Sequence, residues 1–214
     1  MPGVVTISAT YGAGGSVIAP RLAERLAVPF VDRFISVALA HEVATSRESL
    51  HDEERSTTPT SRLLLYLARL PSVLGTPVPD LETLDREERL RRDSDAMLEN
   101  LASTTGGVVL GRAAAVVLAS RPGVLHVRLD GPPDRRRSRA EAIEGIDEAT
   151  ARERQAETDR VRALYVRRLY GRDAADLSLY HAWLDTTVLG IDTCVETLTA
   201  VAARFWAEGL GSGG

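Results

Sequence analysis

Three glycines fall within four residues in Thr10-Tyr11-Gly12-Ala13-Gly14-Gly15-Ser16. Glycine lets backbone N–H groups curl towards one point, and a helix that starts there adds unpaired donors and the positive end of its dipole. The chemistry of such an arrangement is the binding of an anion, phosphate above all. The flanks supply the context. Val4-Val5-Thr6-Ile7-Ser8 is a short, β-branched run that reads as a buried strand, and Val17, Ile18, Leu22 and Leu26 recur at helical spacing. Laid on the pattern G-x-x-x-x-G-K-[ST], Ala9 stands for the first glycine and Gly15 for the lysine, so only Gly14 and Ser16 match. No neighbouring lysine repairs the loop, because all 26 basic residues are arginine. A glycine turn that only packs helix against strand is the alternative at this point.

Other residues invite chemistry by position. Val28-Pro29-Phe30-Val31-Asp32 reads as a second strand, which puts Asp32 at a carboxyl end, where open α/β sheets bind ligands. Capping the segment that follows is an equal claim on that carboxylate. The helix opened by Pro132-Pro133-Asp134 carries Arg135, Arg136, Arg137 and Arg139, and a later one holds Asp159-Arg160-Val161-Arg162. Forked guanidinium groups suit phosphate oxygens, and a solvated helix face is the competing reading. His126 lies in an apolar run without a partner at ligand spacing and reads as structural.

The elements that must position these residues alternate. Strands are expected at Val4 to Ser8, Val28 to Asp32, Val108 to Leu110, Val124 to Leu129 and Trp183 to Thr187, with helices between them and no hairpin signal. Helices are expected over Phe34 to Ala44, Ser61 to Leu70, Leu81 to Ser103, Glu148 to Tyr170 and Ile191 to Ala207, and an alanine-rich one ends near Ser120. This order argues for one α/β domain, a five-stranded parallel sheet with helices on both faces. The stretch 46–80 is polar, then proline-rich, and its role is unreadable. The last residues, 209–214, look like a flexible tail. A net charge of −4 gives no electrostatic case for nucleic acid or an anionic membrane. The single cysteine, Cys194, excludes an internal disulfide and suits a reducing cytoplasm. No apolar run is long enough for a membrane span, and no leader pattern opens the chain.

Seven blocks, in order along nearly the whole chain, resemble the cytidylate kinase-like family. They are the S-x-x-Y-G-x-G-G-x-x-I-A opening, Pro29-Phe30-Val31-Asp32-Arg33, Val108-Val109-Leu110-Gly111-Arg112, Val124-Leu125-His126-Val127, Asp159 to Tyr165, Tyr170-Gly171 and Leu189-Gly190-Ile191. The resemblance implies a P-loop nucleoside monophosphate kinase fold over residues 1–208, with a helical acceptor-binding insertion over 45–103 and a lid over about 132–170. It implies transfer of the γ-phosphoryl of ATP to a nucleoside monophosphate, CMP or dCMP most simply, with Mg²⁺. Gly12, Ala13, Gly14, Gly15, Ser16 and Val17 would then cradle the donor phosphates, and Ser16 would be the magnesium ligand. Asp32 and Arg33 would face the acceptor, and Arg112 its phosphate. Arg136, Arg160 and Arg162 would close from the lid, oriented by Asp159.

The chain departs from the family at Gly15, where cytidylate kinases proper carry lysine, and at Ala113, where they carry aspartate. Divergent relatives often have arginine and glutamate at the positions of Ala9 and Thr10, and arginine at that of Ser16. Every loop position able to bring a charged side chain to phosphate is neutral. An inactive nucleotide-binding regulator of the same fold is therefore the second reading, and the oligomeric state is unreadable.

Overall fold

The computed structural model describes residues 3–32, 81–111 and 113–209. The helices expected within 34–44 and 61–70, together with Arg33, Arg112 and the tail 210–214, lie outside the described residues.

Strands β1 (Val4–Ala9), β2 (Phe30–Val31), β3 (Gly107–Leu110), β4 (Val124–Asp130) and β5 (Ala182–Asp185) form one sheet in the order β2-β3-β1-β4-β5. Every pairing is parallel: Val4 stands opposite Gly107 on one side and Val124 on the other. Parallel neighbours require crossovers, and helices supply them. These are α1 (Gly15–Leu26), α2 (Leu81–Ser103), α3 (Ala114–Val117), α4 (Pro133–Glu144), α5 (Glu148–Tyr170), α6 (Thr186–Leu189) and α7 (Ile191–Ala207).

Both faces of the sheet are covered, as the alternation of strands and helices implies. On one, Val5, Ile7, Leu125, Val127 and Leu129 pack against Ile18 and Leu22 of α1 and Val195 and Leu198 of α7. On the other, Val4, Val109 and Val124 meet Leu98 and Ala102 of α2 and Ala114 of α3. Burial of these side chains, about 1.5–3 kcal/mol for each large one, is the main term holding the helices to the sheet. The indole N–H of Trp206 also donates to the Gly123 carbonyl (3.1 Å), tying the end of α7 to the start of β4.

Three elements are shorter than the sequence suggests. Only Phe30 and Val31 pair as β2, because the Val28 N–H closes α1 on Ala23 (3.0 Å) and Pro29 has no N–H to give. The fifth strand stops at Asp185, whose carboxylate accepts from the Thr187 N–H (2.9 Å) and starts α6. The alanine-rich helix is a single turn, entered through Ala113 at φ 55°. The long helices match expectation from end to end: Asp147 caps α5 by accepting from the Thr150 N–H (2.7 Å), and Gly171 closes it in the left-handed conformation.

Candidate active site

At the carboxyl end of β1 the chain turns through Thr10 to Gly14 and enters α1. Gly12 and Gly14 hold φ of 75° and 77°, which glycine alone adopts at little cost. Gly12 is required for a second reason, since a Cβ there would overlap the carbonyl oxygen of Arg136. Inside the turn the Ala13 N–H donates to Thr10 (3.2 Å) and the Val17 N–H to Gly14 (3.0 Å). The Tyr11 N–H donates to the Asp159 carboxylate (2.8 Å). Helix α1 starts without a side-chain cap. Among the described residues the N–H groups of Gly12, Gly14, Gly15 and Ser16 find no acceptor. Open donors at a helix start are what an anion requires.

Two guanidinium groups fasten this loop from outside. Arg136 is only 6% exposed. Its Nε donates to the Gly131 carbonyl (2.9 Å), and its Nη1 donates to the Tyr11 carbonyl (2.7 Å) and to Asp159 (2.8 Å). Asp159 thus accepts from the loop and from Arg136 together. On the other flank the Thr186 hydroxyl donates to the Ala13 carbonyl (2.8 Å) and accepts from Arg139 Nη1 (3.0 Å). That Nη1 lies 3.7 Å from where a Cβ on Gly14 would stand. Arg139 forms no ion pair with a carboxylate among the described residues; its other bond goes to the Thr186 carbonyl.

The missing lysine has a steric counterpart. A Cβ on Gly15 would lie 2.6 Å from the Ala9 Cβ and 3.2 Å from Leu110. Ala9 occupies the place of the pattern's first glycine and Gly15 that of its lysine, so the methyl of one fills the exit path of the other's side chain. The two departures are one exchange.

Next to the loop a cavity of 310 Å³ lies on the α3/α5 face of the sheet. Thr10, Asp159 and Arg162 line its end near the loop, and Thr6, Arg128 and Tyr180 its far end. Gly111 and Ala113, the neighbours of Arg112, line it too. Arg162 donates to the Ala9 carbonyl (2.8 Å). Arg160 is not among the lining residues: it is half-exposed and pairs with Glu157 (3.3 Å) on the outer side of α5. Asp32 is exposed one residue beyond β2, and Ser16 is exposed on the first turn of α1. His126 is buried, its Nδ1 2.7 Å from the Thr6 hydroxyl, and burial pushes its pKa down to about 4, helped by the neighbouring His181.

Sequence reasoning names Arg139 only as one of four arginines on α4 and does not single out Thr186, Ser8 or Arg128. Nothing local marks Thr186, whose partner is 173 residues away. Arg128 does leave a signal: Thr6-Ser8-Thr10 and His126-Arg128-Asp130 are polar at every second position of two runs that otherwise read as buried.

A parallel sheet ordered β2-β3-β1-β4-β5, with a glycine loop between the central strand and the first helix, defines a P-loop kinase-type protein. The chain belongs to the cytidylate kinase-like family, whose model matches residues 4–188. Cytidylate kinases of Methanopyrus kandleri and Ignicoccus hospitalis are 29% and 26% identical over 199 and 196 residues. Those matches cover 92% and 91% of this chain and 91% and 96% of the relatives. A uronate isomerase of Corynebacterium glutamicum is 31% identical over 103 residues; the match covers 48% of this chain and only 20% of that protein. In fold, an uncharacterized protein from Eubacterium ventriosum superposes with a TM-score of 0.59 at 19% identity, covering 94% of this chain and 98% of its own. A sugar kinase from Janibacter sp. HTCC2649 gives 0.50 at 15% identity, covering 97% and 98%. Family and fold together are those of nucleotide-binding phosphotransferases. No helix among the described residues is long and apolar enough to cross a membrane.

Proposed function

We propose that this chain transfers the γ-phosphoryl group of ATP to a nucleoside monophosphate, CMP or dCMP first, with 45–103 as the acceptor-binding segment and 132–170 as the lid. The observation that carries this reading is the set of open N–H groups on Gly12, Gly14, Gly15 and Ser16, in the turn whose first residue, Thr10, lines a cavity together with Arg162. Phosphoryl transfer needs little covalent chemistry and much positioning and charge neutralisation. The loop N–H groups take the donor phosphates, with Ala13 and Val17 completing the cradle. Arg112, set between two cavity-lining residues, takes the acceptor phosphate, and Asp32 and Arg33 face the acceptor. Arg162 spans loop and cavity, while Arg160 reaches the transferring group only when the lid moves. Arg136 and Asp159 act by holding the loop in shape.

Magnesium, when bound, would supply charge neutralisation at the donor phosphates. The Ser16 hydroxyl is the ligand this chain offers it. Among the described residues no cluster of three His, Cys, Asp or Glu is poised for a metal. Arg139, free of any carboxylate ion pair among the described residues and beside Gly14, is the cation that a lysine-free loop requires on the donor side.

The Ala9–Gly15 exchange favours a second reading, a protein that binds nucleotide without turnover, because losing a cationic contact in such a site costs several orders of magnitude in rate. Calorimetry of ATP with Mg²⁺, followed by a coupled ADP-release assay with CMP, dCMP, UMP and AMP, separates the two. Binding with acceptor-dependent release is the result expected. Binding without release supports the regulator, and no binding removes the loop from both readings.

A further inference from the structure

Strands of a parallel sheet covered by helices are ordinarily apolar on both faces. The α1/α7 face of this sheet obeys: Val5 and Ile7 of β1 lie beside Leu125, Val127 and Leu129 of β4. The opposite face, where the cavity lies, carries polar rungs between the same two strands. Thr6 meets His126 in register (2.7 Å), and the Ser8 hydroxyl accepts from Arg128 Nη1 (2.9 Å). One step further the Thr10 hydroxyl donates to Asp130 (2.8 Å). Apolar pairs of similar volume would hold the strands at least as well as an ion pair buried there. The polar groups therefore call for an explanation other than folding.

We propose that the middle rung, Ser8 with Arg128, is the subsite that reads the uncharged ring of the acceptor, by donating hydrogen bonds to it. This rests on the phosphoryl-transfer reading above. Arg128 is 9% exposed and pinned on every side. Its Nε and Nη2 donate to Asp130 Oδ2 (3.3 and 3.1 Å), and Nη1 also reaches the Ala174 carbonyl (3.3 Å). The Tyr180 ring centre is 5.9 Å from the guanidinium carbon. Five N–H groups are available on a guanidinium. One on Nη2 finds no acceptor among the described residues, and neither does the hydroxyl proton of Ser8, whose oxygen is already accepting from Arg128. Both residues line the cavity.

The charge of Arg128 is matched by Asp130 at 3.1 Å, so the rung does not select an anion. It selects a neutral group with acceptor atoms. Ser8 lies two residues below Thr10, about 7 Å along a strand. A molecule whose phosphate sits at the level of Arg162 and the loop extends its other end down the sheet to this rung. Ala114, Val116 and Val166 give that path an apolar wall suited to a flat ring. Two donors on residues paired in register suit adjacent acceptors such as the O2 and N3 atoms of cytosine. In uracil N3 carries a proton and opposes them. Cytosine-type rings are thus the class this rung favours.

The test is calorimetric binding of CMP, UMP and ribose 5-phosphate to the full chain, wild type and Ser8→Ala, with the KM for ATP measured alongside. Ribose 5-phosphate keeps the phosphate end and lacks the ring. Ser8→Ala is expected to weaken CMP about tenfold, the loss of one hydrogen bond to a bound ring, and to leave ribose 5-phosphate and ATP unchanged. Wild type is expected to hold CMP more tightly than UMP. Arg128→Met is expected to weaken CMP further, and thermal unfolding shows whether it folds; Ser8→Ala remains the deciding variant. Equal losses for CMP and ribose 5-phosphate, or undiminished CMP binding, overturn the subsite alone. A wild-type protein that binds ATP and no nucleoside monophosphate overturns the acceptor reading and the subsite with it.

Discussion

Ala9 and Gly15 show how a side chain can be excluded by its neighbour rather than by its own backbone. With 2.6 Å between the Ala9 methyl and the Cβ position of Gly15, Gly15→Lys is expected to lower stability by about 1–3 kcal/mol, the cost of overpacking a tight site. Ala9→Gly with Gly15→Lys in one chain is expected to regain most of that loss, and urea unfolding of the two variants measures it. If the single variant is as stable as the parent, the two positions are not coupled. Arg136 makes the complementary case. Its removal leaves the Tyr11 and Gly131 carbonyls without this donor, strips Asp159 of its guanidinium partner and takes a cation from beside Asp130, so Arg136→Met is expected to cost about 3–5 kcal/mol and to weaken ATP through the loosened loop. Arg136→Lys recovers the charge and not the fork, so partial recovery of stability is the expected result.

At the level of elements, α1 ends on Ala27 at φ 53°, a left-handed residue with a side chain, where glycine is the usual occupant. Ala27→Gly is expected to stabilise by about 1 kcal/mol and to raise Tm by about 2–4 °C in a chain of this size. A fall in Tm on scanning calorimetry would show that the αL strain is already relieved by the Ala27 N–H bonds to Ala23 and Glu24. Elements with strong end signals are legible in the sequence alone: α5 has its Asp147 cap and Gly171 stop, and α7 its apolar stripe. What escapes is contact between distant segments. The run Arg135-Arg136-Arg137 does not say which arginine turns inward, although Arg136 and Ala140 are the two buried residues of α4, spaced as one helical face. Asp32 reads correctly as the residue after a strand, yet the strand is two residues long because Pro29 cannot donate. For the loop, the sequence marks the backbone that turns. It is silent on Thr186, which holds that turn through the Ala13 carbonyl, and on the bond by which Arg139 fixes Thr186.

For the molecule as a whole, the buried His126 ties stability to pH. Its folded pKa, about 4, lies below the ordinary histidine value of 6.5, because burial and then the adjacent His181 disfavour the charged ring. Between those values the unfolded chain binds a proton that the folded one refuses. Stability is therefore complete above about pH 6.5 and falls as the pH drops, by about 2 kcal/mol at pH 5. His181, also pushed down by burial, adds in the same direction. Urea unfolding at pH 7 and pH 5 measures the fall, and His126→Gln is expected to flatten it; an unchanged slope would assign the effect elsewhere. The sheet order carries a consequence for how the chain is made. Of the five strands of this sheet β1 is made before the others, yet its partners begin at Gly107 and Val124, and of the two helices that cover its Val5/Ile7 face α1 follows at once while α7 comes last. At ordinary rates of translation it waits on the order of ten seconds without a neighbouring strand, with Val5 and Ile7 covered only by α1 and Val4 by neither α2 nor α3. The central strand is thus the strand of this sheet that a nascent-chain chaperone would meet longest.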